Sequence, residues 1–225
     1  MKISWSKTIA QFKGRFGVAG IDLSSVEDLT CCVYLFPRED NRLLVDVLMR
    51  TWCPESKVHD KKNKYRDQYQ AWEREGWLHA TEGSAVDYDF VRREIVGDSK
   101  IVQLELIGVD RGFDGVGFSI ALGNDLGHSE KRPIIITCTN NPVKMGPICQ
   151  EFERRLLERQ INHGGNPILR FMIDSVSVRE DADGNKKPDK DKSQGKIDGV
   201  VALLYALDRL MRSKPKPTLR MPVLY

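Results

Sequence analysis

The chain has 225 residues, a hydrophobic fraction of 40% and a formal charge of +3. That suffices for a sizeable packed core and neither demands nor excludes a nucleic-acid partner. No apolar run approaches the roughly 20 residues that span a bilayer, and Met1-Lys-Ile-Ser-Trp-Ser-Lys7 lacks the apolar core of a signal peptide, so a soluble cytoplasmic protein with no membrane partner is expected.

In chain order, residues 1–16 are polar with scattered aromatics and read as an extension. An apolar strand follows over 16–24, carrying one carboxylate, Asp22. Residues 29–36 make a second strand, Arg38–Arg42 a turn, and Leu43–Trp52 a third strand, together an antiparallel meander. Residues 60–75 place Tyr65, Tyr69 and Trp72 at helical spacing before Gly76. Residues 77–81 read as a short extended piece. Asp87 is placed to cap a helix over 88–96 by accepting backbone N–H bonds. Residues 101–109 form a fourth strand ending at Asp110, and 112–122 a helix. The run over 133–139 reads as a strand buried on both faces. Residues 145–161 are an amphipathic helix with Met145, Ile148, Cys149 and Phe152 on one face. His163-Gly-Gly-Asn166 breaks it, 167–178 reads as a helical turn and a strand, and Asp183-Gly-Asn185 as a turn. The last helix opens near Asp198, with Val200, Leu203, Leu204, Leu207, Leu210 and Met211 at three- and four-residue steps. Pro215, Pro217 and Pro222 mark a tail. The layout is α/β, with antiparallel and parallel strands in one sheet flanked by helices. It divides into an extension at 1–16, a main domain at 17–212 and a proline-rich tail at 213–225.

Five cysteines, Cys31, Cys32, Cys53, Cys138 and Cys149, lack zinc-like spacing and read as buried thiols. His59, His79, His128 and His163 are too dispersed for a histidine metal site. No Gly-x-x-x-x-Gly-Lys-Ser/Thr run exists, which excludes a P-loop ATPase within this chain. Asp181-Ala-Asp-Gly-Asn185 resembles a calcium loop, but its glycine comes early and Lys192 stands where a bidentate Glu belongs.

Asp22, Asp110 and Asp198 carry the chemistry. Each has an ordinary reading: a turn-bonded strand end, a loop residue, a helix N-cap. Together they offer three oxygen ligands from two strand ends and a helix start. An ionised Asp in an apolar strand needs a cation nearby, and hard ions such as Mg²⁺ and Mn²⁺ take carboxylates rather than thiols. Two such ions about 4 Å apart serve phosphodiester hydrolysis. The set therefore points to a metal-dependent nuclease. Residues 186–196 hold five lysines and two aspartates. They read as a solvated loop or a phosphate grip, with Lys192 and Lys196 favoured for lying nearest Asp198.

The pieces Gly20-Ile-Asp-Leu-Ser-Ser25, Asp87-Tyr-Asp-Phe-Val-Arg-Arg93, Gly108-Val-Asp110, His163-Gly-Gly-Asn-Pro167, Asp183-Gly-Asn185 and Lys196-Ile-Asp-Gly-Val-Val-Ala-Leu203 come in the order seen in the large terminase subunit of tailed bacteriophages. The chain resembles the C-terminal nuclease domain of that family over most of residues 17–212. The resemblance implies an RNase H-like fold and an endodeoxyribonuclease that cuts concatemeric double-stranded viral DNA during packaging, with two Mg²⁺ or Mn²⁺ ions. It matches Asp22 to the first-strand acid, Asp110 to the fourth-strand acid and Asp198 to the C-terminal-helix acid. Around Asp110 the family often has Asp-Pro-Trp where this chain has Asp-Arg-Gly, which leaves Asp114 as a nearby alternative. The implied partners are a terminase ATPase domain, the small terminase subunit and the portal, all in the host cytoplasm. Rival expectations are another RNase H-like nuclease, of junction-resolvase or transposase type, and a non-catalytic DNA or portal docking module.

Overall fold

A computed structural model describes residues 2–23, 29–112, 114–127 and 133–213. The tail prolines and His128 lie outside them. In chain order the elements are α1 (Trp5–Ala10), β1 (Phe16–Asp22), β2 (Thr30–Pro37), β3 (Val45–Pro54), α2 (Glu55–His59), α3 (Arg66–Glu75), β4 (His79–Thr81), α4 (Tyr88–Ser99), β5 (Gln103–Asp110), α5 (Gly115–Asp125), β6 (Ile134–Cys138), α6 (Pro142–Leu157), β7 (Ile161–Asn162), α7 (Pro167–Ser175), β8 (Val178–Glu180), β9 (Lys186–Pro188) and α8 (Asp198–Arg212).

The main sheet runs β4-β3-β2-β1-β5-β6, with β7 also on β3. β1, β2 and β3 form the antiparallel meander read from the sequence. β5 and β6 add in parallel beyond β1. The central strands are buried on both faces. Cys31, Val33 and Leu35 face the core under α8, while Cys32, Tyr34 and Phe36 face the core under α4 and α5. The two adjacent cysteines thus lie on opposite faces as strand alternation requires.

Several expectations change in the structure. The N-terminal residues include helix α1, whose Ile9 is buried. Asp98 holds it in place. This buried carboxylate accepts from Trp5 Nε1 at 2.9 Å, Tyr34 Oη at 2.8 Å and Arg50 Nε at 2.8 Å, so its charge is matched rather than stranded. The helix expected over 60–75 begins only at Arg66, and a separate short helix, α2, precedes that range at Glu55–His59. Asp60 accepts from the Lys62 amide and turns the chain between them. Asp87 caps α4 as expected, taking the Phe90 N–H at 2.9 Å. The strand at 134–138 is not buried on both faces. It ends the main path of the sheet, which leaves Ile134 62% exposed. Helix α6 begins earlier than expected, where Asn141 accepts from the Lys144 amide and Pro142 takes the first turn.

Helix α8 does more than bury one stripe. Residues 198–209 are all buried, because α8 packs between the sheet and helices α6 and α7. It lies on the sheet at backbone distance. A Cβ on Gly20 would stand 2.0 Å from Ala202 O and 2.4 Å from Ala206 N. Only glycine on the strand and alanine on the helix allow that approach. Gly20→Ala is therefore expected to destabilise by more than the roughly 1–3 kcal/mol usual for core overpacking. Gly108→Ala should cost less, since its nearest neighbour is the Cys138 sulfur at 3.0 Å. Thermal unfolding of both variants checks this; a Gly20→Ala midpoint within about 2 °C of the parent would contradict it.

Candidate active site

Asp22 is the last residue of β1, Asp110 the last of β5 and Asp198 the first of α8. Ile21 pairs with Val109 in the parallel register, which puts Asp22 beside Asp110 at the same end of the sheet. The seating of α8 on Gly20 then brings Asp198 over Asp22. Asp22 is fully buried and Asp198 is 3% exposed.

Between them sits a cation that the sequence reading did not single out. Lys190 Nζ donates to Asp22 Oδ2 at 2.9 Å and to Asp198 Oδ1 at 3.0 Å. Its side chain is 44% exposed as a whole, but its tip ends between buried carboxylates. Asp110 is held differently: Tyr205 Oη donates to Asp110 Oδ1 at 2.9 Å. Tyr205 lies two helical turns after Asp198 on α8, so one helix supplies an acid and the group that orients another.

The Lys190 ammonium meets two of the three carboxylates, Asp22 and Asp198. Burial raises the Asp22 pKa to about 8, Lys190 opposes the rise, and the charges of Asp198 and Asp110 add to it. Burial alone would push the Lys190 ammonium down, but the two carboxylates reverse this and hold it protonated. These shifts pull opposite ways on the Asp22–Lys190 pair. A single ammonium cannot neutralise both facing acids, so it stays charged while Asp22 keeps a proton into the neutral range. Tyr205 is raised by its burial and by Asp110, which keeps its hydroxyl a donor. Cys31, beside Asp22 in the β1–β2 register, is likewise raised by burial and by the two acids. It is a neutral thiol and a poor ligand.

The residues fit a hard divalent cation. Asp22 Oδ1 is buried with no hydrogen-bond partner among the described residues, and the point where Asp22 and Asp198 converge already favours a positive charge. Among the described residues no three His, Cys, Asp or Glu side chains close into a coordination cluster; Lys190 bridges two of the acids and Tyr205 holds the third.

The other expected residues fall as follows. Asp114 precedes α5, with its carboxylate against Gly117, and Asp110 rather than Asp114 acts on Asp22. Lys192 is exposed in the turn after β9, where its carbonyl accepts from Ser177 Oγ at 3.0 Å. Lys196 is half-buried two residues before Asp198. His163 lines a larger cavity of about 630 Å³ beside β3. It adjoins the β3 start, the end of the sheet opposite Asp22, and no acid triad lies there. Lys190 was hidden among five lysines. The available signal was that a buried acid requires a cation, and the turn before Asp198 is the nearest source.

A mixed sheet with a three-stranded meander, parallel strands beyond it and acids at one end is an RNase H-like nuclease fold. Residues 2–214 match the family model described as terminase large subunit, endonuclease domain, and the chain belongs to that family. It is 32% identical over 197 residues to the terminase large subunit of Enterobacteria phage HK97, covering 84% of this chain and 36% of that protein. The crystal structure of the HK97 large terminase matches with a TM-score of 0.75 at 31% identity, over 92% of this chain and 43% of that one. The chain thus spans less than half the length of these relatives. The large terminase nuclease of the thermophilic phage G20c, solved with bound magnesium, matches in fold with a TM-score of 0.51 at 11% identity, over 87% of this chain and 82% of that one.

Two outcomes are expected of the metal-free protein. Lys190→Met removes the ammonium that bridges the facing acids, and stability should fall by about 1–2 kcal/mol. That is less than for a fully buried pair, because Lys190 is partly exposed. Asp22 has a folded pKa above the ordinary 3.8, so the folded protein holds a proton that the unfolded chain releases. Its contribution is present at low pH and is lost as pH rises toward 8. Asp22→Asn should therefore gain stability relative to the parent as pH rises from about 4 to about 8, and the difference should level off above that. Melting curves in EDTA across that range test both variants, and a pH-independent difference for Asp22→Asn would remove the shift.

Proposed function

We propose that this chain is a metal-dependent endonuclease that cuts double-stranded, concatemeric viral DNA during genome packaging. The observation that carries the reading is the pair Asp22 and Asp198, buried face to face around one cation, with Asp110 beside them. Asp22, Asp110 and Asp198 would hold magnesium or manganese ions, in keeping with the magnesium bound by the G20c nuclease of like fold. Bound there, two such ions supply activation of water and stabilisation of the charge that develops on phosphorus oxygens.

The chain's own residues set the conditions. Asp22 must give up its proton before it serves as a full ligand, so proton and cation compete for it. Lys190 compensates the acids until a divalent ion takes over that charge. Tyr205 fixes the direction of the Asp110 carboxylate. Lys192 and Lys196 would meet backbone phosphates and contribute affinity without sequence choice. In the longer protein the unit at 17–212 would work beside a terminase ATPase domain, the small terminase subunit and the portal, in the cytoplasm of the infected cell.

Nicking and linearisation of supercoiled plasmid with Mn²⁺, Mg²⁺ or EDTA tests the reading. Metal-dependent cutting is expected, reduced at least about 100-fold in Asp22→Ala and in Asp198→Ala with the circular dichroism spectrum retained. Retained cutting by either variant removes that residue from the catalytic set. Preference for branched DNA would favour a resolvase, and failure to bind Mn²⁺ a docking module. Mn²⁺ affinity measured by calorimetry should rise with pH by up to about tenfold per unit and flatten above about pH 8.

A further inference from the structure

A cavity of about 460 Å³ opens beside Asp110, and none of the roles above uses it. It lies between the end of β6, the inner face of α8 and the first turns of α6. Two links join it to the acids. Cys138, on its floor, pairs with Asp110 in the β5–β6 register. Tyr205, on its wall, is the residue whose hydroxyl holds Asp110. Arg209 follows Tyr205 by four residues and so faces the same side of α8. Its Cγ lies 3.3 Å from where a Cβ on Gly108 would stand, which places its stem across β5.

Arg209 is only 5% exposed, and its Nε is buried with no hydrogen-bond partner among the described residues. One terminal nitrogen donates to Asp208, which also takes Arg212 Nε at 2.7 Å. Lys144 lines the other wall. Three cations thus stand against one carboxylate. A buried guanidinium with an unmet donor carries a desolvation penalty that an oxygen acceptor would remove. Arginine's planar fork suits phosphate oxygens in particular.

We propose that this cavity is a subsite for a backbone phosphate of the nucleic-acid substrate, next to the one that is cut. Arg209 holds that phosphate from within, and Lys144 and Arg212 hold it at the rim. The proposal rests on the endonuclease reading and adds the place where the strand is gripped beyond the cut. Position favours a polymer over a free anion: Tyr205 lines the cavity and also bonds Asp110, so the cavity adjoins the acids and one strand can reach both.

Fluorescence anisotropy of a labelled duplex of about 20 base pairs, titrated in EDTA over a salt series, tests it without relying on cutting. Lys144→Gln and Arg212→Gln should each weaken binding about 3–10-fold and flatten the salt slope by about 0.9 per lost contact. Lys100→Gln, at the end of α4 on the opposite face of the sheet, should match the parent. Arg209→Met should weaken binding further if it folds, and the rim variants decide the matter if it does not. Rim variants with the parent's affinity and slope overturn the subsite even if the parent cuts plasmid with Mn²⁺. Weakened rim variants of a parent that does not cut would keep a phosphate-binding cavity and sink the nuclease reading. A parent that does not bind DNA sinks both. Calorimetric binding of inorganic phosphate, lost in Arg209→Met while DNA affinity is unchanged, would assign the cavity to a free anion instead.

Discussion

Everything at the acidic end of this molecule depends on how closely one helix can lie on one strand. Helix α8 carries Asp198, Tyr205 and Arg209, and each is useful only at its height above the sheet. Gly20 removes the side chain that would hold the helix off, and Ala202 and Ala206 meet it with little more than backbone. A larger residue at this crossing would lift Asp198 from Asp22 and Tyr205 from Asp110 together. The site is thus specified first by packing and only then by charge.

The charge is arranged at a cost. Carboxylates inside a low-dielectric layer repel one another and favour protonation, as the raised Asp22 records. The protein tolerates this because cations stand close by: Lys190 between two acids, Arg209 and Arg212 around Asp208. The Asp98 cluster at the other face shows the contrast. There Arg50, Trp5 and Tyr34 satisfy the carboxylate from several sides, and the result is a fastening for α1 and α4. At Asp22 one oxygen has no hydrogen-bond partner among the described residues. Similar residue types give structure in one place and binding capacity in the other, according to whether the balance is closed.

Much of this was legible in the chain because it is local. The meander follows from three apolar runs with polar turns, the α4 cap from Asp87, and the acids from carboxylates in or beside apolar stretches. What escaped depends on distant neighbours. The run at 133–139 is equally apolar in a central or an edge strand, so its composition could not reveal that Ile134 faces solvent. Residues 5–10 are too short and polar to announce a helix, and α1 exists because Asp98 and Arg50 hold Trp5. Lys192 and Lys196 were favoured over Lys190 by nearness in sequence to Asp198. The chain turns at Asp189, whose side chain accepts from the Asp191 amide, and it is Lys190 that points inward.

That lysine stands just past a small two-stranded sheet, β8 with β9, separate from the main one. β8 is exposed along its whole length, while β9 packs on α6 and ends at the buried Pro188. The acids belong to the central strands and the buried helix, the last parts of such a molecule to open. The ammonium comes from a turn off the main sheet and the carboxylates from the sheet and its buried helix, so the positive charge is the replaceable member of the cluster.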